Sequence, residues 1–425
     1  MTDVEVRPAE GAFRGTVAVP GDKSLSHRAL IFSAMASGTS RIDGLGTGED
    51  IATTARVLGE LGVEIQAGRV ASPGVDGWTA PTSPLDCGNS GTTLRLMTGA
   101  LSGRPFRSIL HGDDSLNTRP MGRLVEPLAA LGADVVTSLE RTPPVSVGGG
   151  GLLGADVAIP LASAQVRSAV ALAALQATGP TTISSPSGYR DHSERWLAAF
   201  ERGEWLTDGR FRIIPGLLPA LDCVVPGDPS SAAFLWASAS IVPGAVVTTS
   251  GISLNPGRLG FLEILERMGA TIDAEVTGDV NGDPVGTVTV EGAELSAVEV
   301  EGDLVAATLD ELPLVGVLGA YAEGVTIVRD AKELRVKESD RISSTVDLVR
   351  ALGGGAEPRA DGFAVLGTGF LDGGVVDARG DHRIAMAGGV AATRATGTVS
   401  ISGGDVAGVS WPGFFDVLER MWSSR

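Results

Sequence analysis

A handful of short clusters hold most of the residues that could act on an anion. "GDKSLSHR" sets Lys23, Ser24 and Arg28 around what reads as a helix start. Lysine is a compact point charge for phosphate, arginine a planar fork for phosphate or carboxylate, and serine a cap or ligand donor. The same spacing also fits a capped helix with two solvated cations. "KELRVKESDR" is denser. Read as helix, it puts Lys337 and Arg341 at i,i+4 on one face, with Glu338 and Arg341 at i,i+3. Like charges on one face are unfavourable unless an anion or carboxylate joins them, although a surface helix laced with ion pairs gives the same pattern. "NTRPMGRLV" places Arg119 before a proline, on extended or turn backbone. "RDHSERW" supplies Arg190, and "GDHRIAM" supplies Arg383 at the head of an apolar run. Asp310 and Glu311 open another such run, "LDELPLVGV". Asp310 reads either as an N-cap or, facing a cleft of cations, as a general base.

Other chemistries lack their residues. There is no G-x-x-x-x-G-K-[ST] loop, which argues against an ordinary ATPase site. "GLGTGED" from Gly44 lacks dinucleotide-loop spacing and reads as a turn. His27, His111, His192 and His382 are scattered, with no paired Cys/His arrangement, so no metal site is expected.

The polar clusters recur at one kind of place. Six segments begin with Gly or Pro and polar residues, then continue as a small, apolar, helix-like run ending near Gly. They start at Pro20, Cys87, Ala162, Gly227, Thr308 and Arg379. Each run reads as a buried helix, apolar on all sides. Between them lie β-branched stretches such as Val135–Val136, Val246–Thr249 and Thr287–Val290, and more charged helical stretches such as Ile51–Leu61 and Phe261–Met268. The content is a repeated α/β unit, and six units suit two domains of three. A helix start exposes unpaired N–H groups and the positive end of its dipole, so convergent starts would trap anions. Lys23, Ser24, Asn89, Ser90, Gly91, Ser163, Gln165, Asp310, Asp381 and Arg383 all lie at such starts.

The bulk numbers agree with a folded two-domain chain. It has 425 residues, 43% hydrophobic and 20% charged, with 59 glycines and only 4% aromatics. That exceeds what one core usually supports. A net charge of −18 excludes a generic nucleic-acid binder and requires cations to be concentrated at any anion site. Two distant cysteines, Cys87 and Cys223, fit a reducing compartment. No signal peptide or spanning stretch is read, so a cytoplasmic chain is expected.

Together, "PGDKSLSHRA", "DCGNSGTTLR", "TRPMGRL", "SAQVRSA", "LRVKESDR" and "GDHRIAM" resemble, in order, the 5-enolpyruvylshikimate-3-phosphate synthase family of enolpyruvyl transferases, from about Val19 to Phe415. The resemblance implies an α/β fold of two domains, each of three βαβαββ repeats, an inside-out α/β barrel. It also implies an inserted domain, 20–227, and a discontinuous one, 1–19 plus 228–425, with the active site in the cleft. The implied reaction moves the enolpyruvyl group of phosphoenolpyruvate to the 5-hydroxyl of shikimate 3-phosphate and releases phosphate, within the shikimate pathway of aromatic amino acid biosynthesis. By resemblance, shikimate 3-phosphate is bound by Lys23, Ser24, Arg28, Ser163, Ala164, Gln165, Arg190, Asp310 and Lys337. Phosphoenolpyruvate is bound by Lys23, Asn89, Gly91, Arg119, Gln165, Arg341 and Arg383. Asp310, Glu338 and Lys23 carry the catalytic roles. No cofactor or metal is implied, and no nucleic-acid or membrane partner; a monomer is expected.

The short forms "SAQVRSA" and "RDHSE" resemble the subclass that includes glyphosate-tolerant enzymes, some of which have Ala where this chain has Gly91. Many relatives carry a lysine where "GVSWPGF" offers Val409. The nearest rival is UDP-N-acetylglucosamine enolpyruvyl transferase, whose usual signature is Lys-Asn where Lys23-Ser24 stands, with a mobile-loop cysteine. Cys87, before "GNSGT", reads instead as a buried small residue. A rival of another class is a non-catalytic anion-binding protein on the same scaffold.

Overall fold

Among the described residues, strand pairing follows one pattern in five sheets and, short of one strand, in a sixth. The clearest copy runs Leu85–Asp86, helix Gly91–Leu101, Ser108–His111, helix Val125–Ala129, Asp134–Val136, Val145–Gly148. Its first two strands pair in parallel, with Leu85 opposite Leu110. The other two add antiparallel, with Ser108 opposite Val147 and Val135 opposite Val147 from the other side. A parallel pair cannot be joined by a hairpin and needs a crossover, which the helix supplies. The sheets that begin with Asp156–Ala158 and Glu299–Val300 repeat this order. Three copies are completed by strands from elsewhere in the chain. Asp222–Val224 lies parallel to Ser37–Asp43, Arg14–Thr16 lies parallel to Val246–Ser253, and Val4–Val6 runs antiparallel to Val399–Ser402. The last sheet has three strands where the others have four. This is the expected α/β architecture of repeated βαβαββ units.

The computed structural model describes residues 2–423. The chain forms two compact units, each with a separate hydrophobic core. One unit is Met1–Pro20, Gly227–Gly278 and Pro284–Arg425; the other is Gly21–Pro226 with Asp279–Asp283. The turn Asp279–Asp283 joins strands Thr271–Val280 and Asp283–Glu291, and no sequence signal marks it as belonging apart from them. No helix among the described residues is long and apolar enough to cross a membrane.

The six crossover helices are the small, apolar runs. Every residue of Pro229–Ile241 and of Leu312–Tyr321 is buried. Their small side chains let backbones approach closely. A Cβ added at Gly99, in the Gly91–Leu101 helix, would lie 2.1 Å from the Ala169 carbonyl oxygen of the Ala164–Ala174 helix. The second helix of a unit is amphipathic instead: Glu49–Glu60 buries Asp50, Ile51, Thr54, Val57 and Leu58, one stripe at helical spacing.

Five of the six crossover helices are capped by their polar cluster. Asp22 accepts from Leu25 N, Ser90 from Thr93 N, Ser163 from Val166 N, Asp228 from Ser230 N and Asp381 from Arg383 N. Each cap is worth about 1 kcal/mol. The sixth helix, Leu312–Tyr321, follows Glu311 with no side-chain cap bond, so Asp310 is not the N-cap that its position also allowed.

One buried titratable group in the capped region makes stability depend on pH. His27 is fully buried, its Nδ1 2.7 Å from the Thr54 hydroxyl. Burial pushes its pKa down to about 3; Asp50 opposes this while Lys23 and Arg28 reinforce it. The native state therefore holds it neutral, whereas the unfolded chain protonates it near the ordinary value of about 6.5. Below that value the unfolded state binds a proton that the folded state refuses, so stability falls with pH by about 1.4 kcal/mol per unit, down to the folded value. Urea unfolding at pH 7 and pH 5 is expected to show His27→Gln losing about 1–2 kcal/mol less than the parent over that interval. Equal losses would contradict this account of His27.

Candidate active site

In the unit containing Gly21–Pro226, three crossover helices are cross-linked near their starts by polar side chains. Lys23–Met35 connects to Gly91–Leu101 through His27, Thr54, Thr93 and Ser90, whose successive contacts are 2.7, 2.6 and 2.7 Å. Gly91–Leu101 connects to Ala164–Ala174 through Arg95 Nη1, which donates to Gln165 Oε1 at 2.6 Å, and through Gln165 Nε2, which donates to Thr92 Oγ1 at 2.9 Å. Ala164–Ala174 returns to Lys23–Met35 through Arg28 Nη2, which donates to Ser168 Oγ at 2.7 Å. The ring is closed and fixes the three helix starts against one another.

Around it stand the candidates. Lys23 Nζ lies 2.8 Å from Asp50 Oδ2 and keeps a third of its side chain exposed. Asn89 is held from two sides, donating to Asp113 at 2.7 Å and accepting from Arg119 Nη2 at 2.6 Å. Ser24 is half-buried and accepts from Arg28 Nη1 at its backbone oxygen, 2.9 Å. Ser163 caps the helix that opens with Ala164, and both remain half-buried. A Cβ at Gly91 would meet Arg95 Nη1 at 2.8 Å and Arg119 Nη1 at 3.7 Å, so hydrogen at this position leaves room for both guanidinium groups.

Arg28 is a buried cation of this unit, 3% exposed. Its Nε donates to Ser193 Oγ at 2.7 Å, and Ser193 and Ser168 pair at 2.7 Å. Burial lowers its pKa from the ordinary arginine value; Glu194, Asp22 and Asp283 pull it back up, and Arg190 pushes it down. Arg190 thus adds positive potential at Arg28 from half-exposed backbone just ahead of the His192–Ala199 helix.

The other unit builds its site on Arg341. This side chain is 1% exposed. Its Nε donates to Asp381 Oδ2 at 2.8 Å and its Nη2 to Asp381 Oδ1 at 3.3 Å. Nη2 also donates to Glu338 Oε2 at 2.6 Å, and Nη1 lies 3.4 Å from Asp310 Oδ1. Burial alone would lower the guanidinium pKa, but Asp381, Glu338 and Asp310 together raise it above the usual arginine value. Burial likewise works against ionised Asp381, and Arg341 reverses this to hold its carboxyl below the usual range. Asp310 is shared: its Oδ1 also lies 3.6 Å from Lys337 Nζ. Arg383, nine-tenths buried, sits 3.9 Å from Glu311 Oε1, which accepts from Ser230 Oγ.

The sequence reading of "KELRVKESDR" as one helix is wrong. A short 3-10 turn covers Lys332–Val336, Lys337 is extended, and the α-helix begins only at Arg341. The cause is Asp340, whose carboxylate accepts from Ile342 N and Ser343 N and so stops the helix from beginning earlier. Lys337 and Arg341 share no helical face; Asp310 brings them together instead. Glu338 still reaches Arg341, from non-helical backbone. Sequence reasoning also missed Arg95, Thr54, Ser168 and Ser193, which lie inside or beside the quoted clusters, and Arg258, whose Nη2 donates to Asp228 at 2.8 Å and to Ser230 at 2.9 Å. Arg95 stands one turn after Gly91, a spacing that was legible; the others needed the fold.

Cys87 is buried, and burial pushes its thiol up to about 12, so it is no nucleophile near neutral pH. Among the described residues, no group of three His, Cys, Asp or Glu is arranged to hold a metal ion.

The model of the family described as EPSP synthase (3-phosphoshikimate 1-carboxyvinyltransferase) matches residues 8–418. A 3-phosphoshikimate 1-carboxyvinyltransferase of Desulforamulus reducens is 44% identical over 96% of this chain and 97% of its own. One from Xanthomonas campestris pv. campestris is 46% identical over 95% of this chain and 93% of its own. A solved structure of EPSP synthase from Acinetobacter baumannii superposes with a TM-score of 0.88, at 37% identity, covering 99% of this chain and 98% of that one.

The Arg341 arrangement predicts an asymmetric cost. Asp381→Ala strands a buried guanidinium and removes a helix cap, so the free energy of unfolding in urea should drop by about 3–5 kcal/mol. A drop below about 1 kcal/mol would mean that Glu338 and Asp310 alone satisfy Arg341.

Proposed function

Because the chain belongs to the EPSP synthase family (3-phosphoshikimate 1-carboxyvinyltransferase), we propose that it transfers the enolpyruvyl group of phosphoenolpyruvate to the 5-hydroxyl of shikimate 3-phosphate and releases phosphate. One observation carries the reading: the family match over residues 8–418 takes in every candidate residue from Lys23 to Arg383. The proposed setting is the cytoplasm, with the chain as a monomer.

The reading draws on both units. Arg28, Arg190, Ser24, Ser163, Ala164 and Gln165 serve shikimate 3-phosphate from one, with Lys337 and Asp310 from the other. Asn89, Gly91, Arg119 and Gln165 serve phosphoenolpyruvate, with Arg341 and Arg383. Lys23 serves both. The two reactants are anions, so much of the rate enhancement comes from holding like charges together in a preorganised field of cations.

The chemistry is addition followed by elimination. The 5-hydroxyl oxygen bonds to C2 of phosphoenolpyruvate, its proton passes to Asp310, and C3 takes a proton from Glu338. In the resulting tetrahedral intermediate C3 is a methyl group. Glu338 then takes back a proton from C3, the C2–C3 double bond re-forms, and the C2–O bond to phosphate breaks; the proton that Asp310 accepted passes by way of solvent to the departing phosphate, so hydrogen phosphate leaves and both carboxyl groups return to their starting states. The cations flanking Asp310 and the Arg341 bond to Glu338 support these roles by orienting both carboxyl groups before substrate arrives; beside Arg341 the ionised form of Glu338 is favoured, so Glu338 takes up a proton from solvent before it donates to C3. Lys23 balances negative charge on the intermediate.

Phosphate release by the purified protein tests the reading. Release from phosphoenolpyruvate should require shikimate 3-phosphate, should not occur with UDP-N-acetylglucosamine, and should fall by about 10²-fold or more in Asp310→Asn. No release with either acceptor from folded protein would leave an anion-binding scaffold as the better account. Gly91→Ala should lower kcat/KM for phosphoenolpyruvate by about 10-fold or more, because the new methyl displaces Arg95 from Gln165. An unchanged value would show that Arg95 yields without consequence.

A further inference from the structure

Asp283 is a fully buried carboxylate that none of the roles above uses. It belongs to the Asp279–Asp283 turn, which groups with Gly21–Pro226. Its oxygens lie 3.0 and 3.1 Å from His192 Nδ1, and Trp196 Nε1 donates to Oδ2 at 3.0 Å. His192 and Trp196 are one turn apart on the His192–Ala199 helix, so both contacts fall on one face of it. His192, Trp196 and Asp283 are all 0% exposed.

The residues beside His192 face the candidate phosphate-binding groups. Ser193 accepts from Arg28 Nε at 2.7 Å, and Glu194 accepts from Arg167 Nε at 2.5 Å. Arg167 in turn lies over the Tyr189 ring, 4.0 Å from its centroid, and Arg190 follows directly. The helix start is therefore held from two sides. Arg28 and Arg167 grip one, and Asp283 pins the other. A carboxylate buried this deeply costs several kcal/mol to desolvate, a cost that replacing the carboxylate together with both its donors by apolar groups would avoid. Its two donors and its position give it another use. Asp283 also contributes negative potential at Arg28, against the desolvation and the repulsion from Arg190.

We propose that Asp283 is a positioning residue for the phosphate of shikimate 3-phosphate: by fixing His192 and Trp196 it sets where Ser193 holds Arg28 and where Arg190 begins. The proposal rests on the reading of Arg28 and Arg190 as phosphate ligands.

Titration of shikimate 3-phosphate alone into the parent and into Asp283→Asn tests it by calorimetry, with steady-state kinetics alongside. The asparagine keeps the size and loses the charge and one acceptor oxygen. Its dissociation constant for shikimate 3-phosphate should rise about tenfold, while KM for phosphoenolpyruvate at saturating shikimate 3-phosphate stays within about twofold. Unchanged shikimate 3-phosphate affinity in folded Asp283→Asn would overturn the proposal, as would equal weakening toward both substrates. Should Asp283→Asn not fold, Trp196→Phe removes one donor and keeps the carboxylate; about a threefold rise is expected there, and no rise overturns the proposal equally. Failure of the parent itself to bind shikimate 3-phosphate is a different result, which would sink the functional reading first.

Discussion

A guanidinium group cannot be buried without partners, and Arg341 meets that constraint with three carboxylates. Desolvation of a charge costs several kcal/mol even after the protein relaxes, so the surrounding groups must be placed to repay it. Asp381 does most of this with a two-point contact, and it is itself locked as the cap of the His382–Ala392 helix. Glu338 and Asp310 complete the arrangement from irregular backbone. The local chain follows from this need. Asp340 starts the helix at Arg341, which frees Lys337 and Glu338 from helical geometry and lets them approach Asp310 and Arg341. Two of the three groups that make Arg341 tolerable, Glu338 and Asp310, are the ones proposed for proton transfer.

The other unit solves a related problem differently. Arg28 is almost as buried, yet it donates to two serine hydroxyls and a carbonyl oxygen. Neutral acceptors orient a guanidinium without cancelling its charge, and arginine stays protonated in proteins. Carboxylates act on Arg28 only at longer range. In the proposed reading, one unit thus offers a guanidinium matched by carboxylates that can carry protons, and the other offers Arg28, held by neutral acceptors, to the phosphate of shikimate 3-phosphate. A chain with net charge −18 can recruit anions only through such local concentration.

Much of this was legible in the amino-acid order. The recurrence of a polar cluster before a small apolar run marked all six crossover helices, because a helix start needs a cap and a crossover helix covered on all sides needs small, apolar residues. Asp22, Ser90, Ser163, Asp228 and Asp381 are those caps. Local pattern failed where a single capping residue outweighed helical periodicity, as at Asp340, and where partners are distant in sequence. Asp283 is about ninety residues from the helix it pins, and Arg28 meets Ser168 and Ser193 across similar or greater separations. Nothing in the spacing of "GDVNGDPVG" distinguishes Asp283 from an ordinary turn aspartate.

The central claim is that Glu338, oriented by Arg341, moves a proton to and from C3 of phosphoenolpyruvate. Proton NMR in D2O reads this directly, because a C3 methyl intermediate that returns to substrate carries solvent deuterium with it. With shikimate 3-phosphate present, deuterium should enter C3 of phosphoenolpyruvate and the enolpyruvyl CH2 of the product, and Glu338→Gln should abolish both. Full turnover without deuterium at C3, or undiminished exchange in Glu338→Gln, would contradict the account.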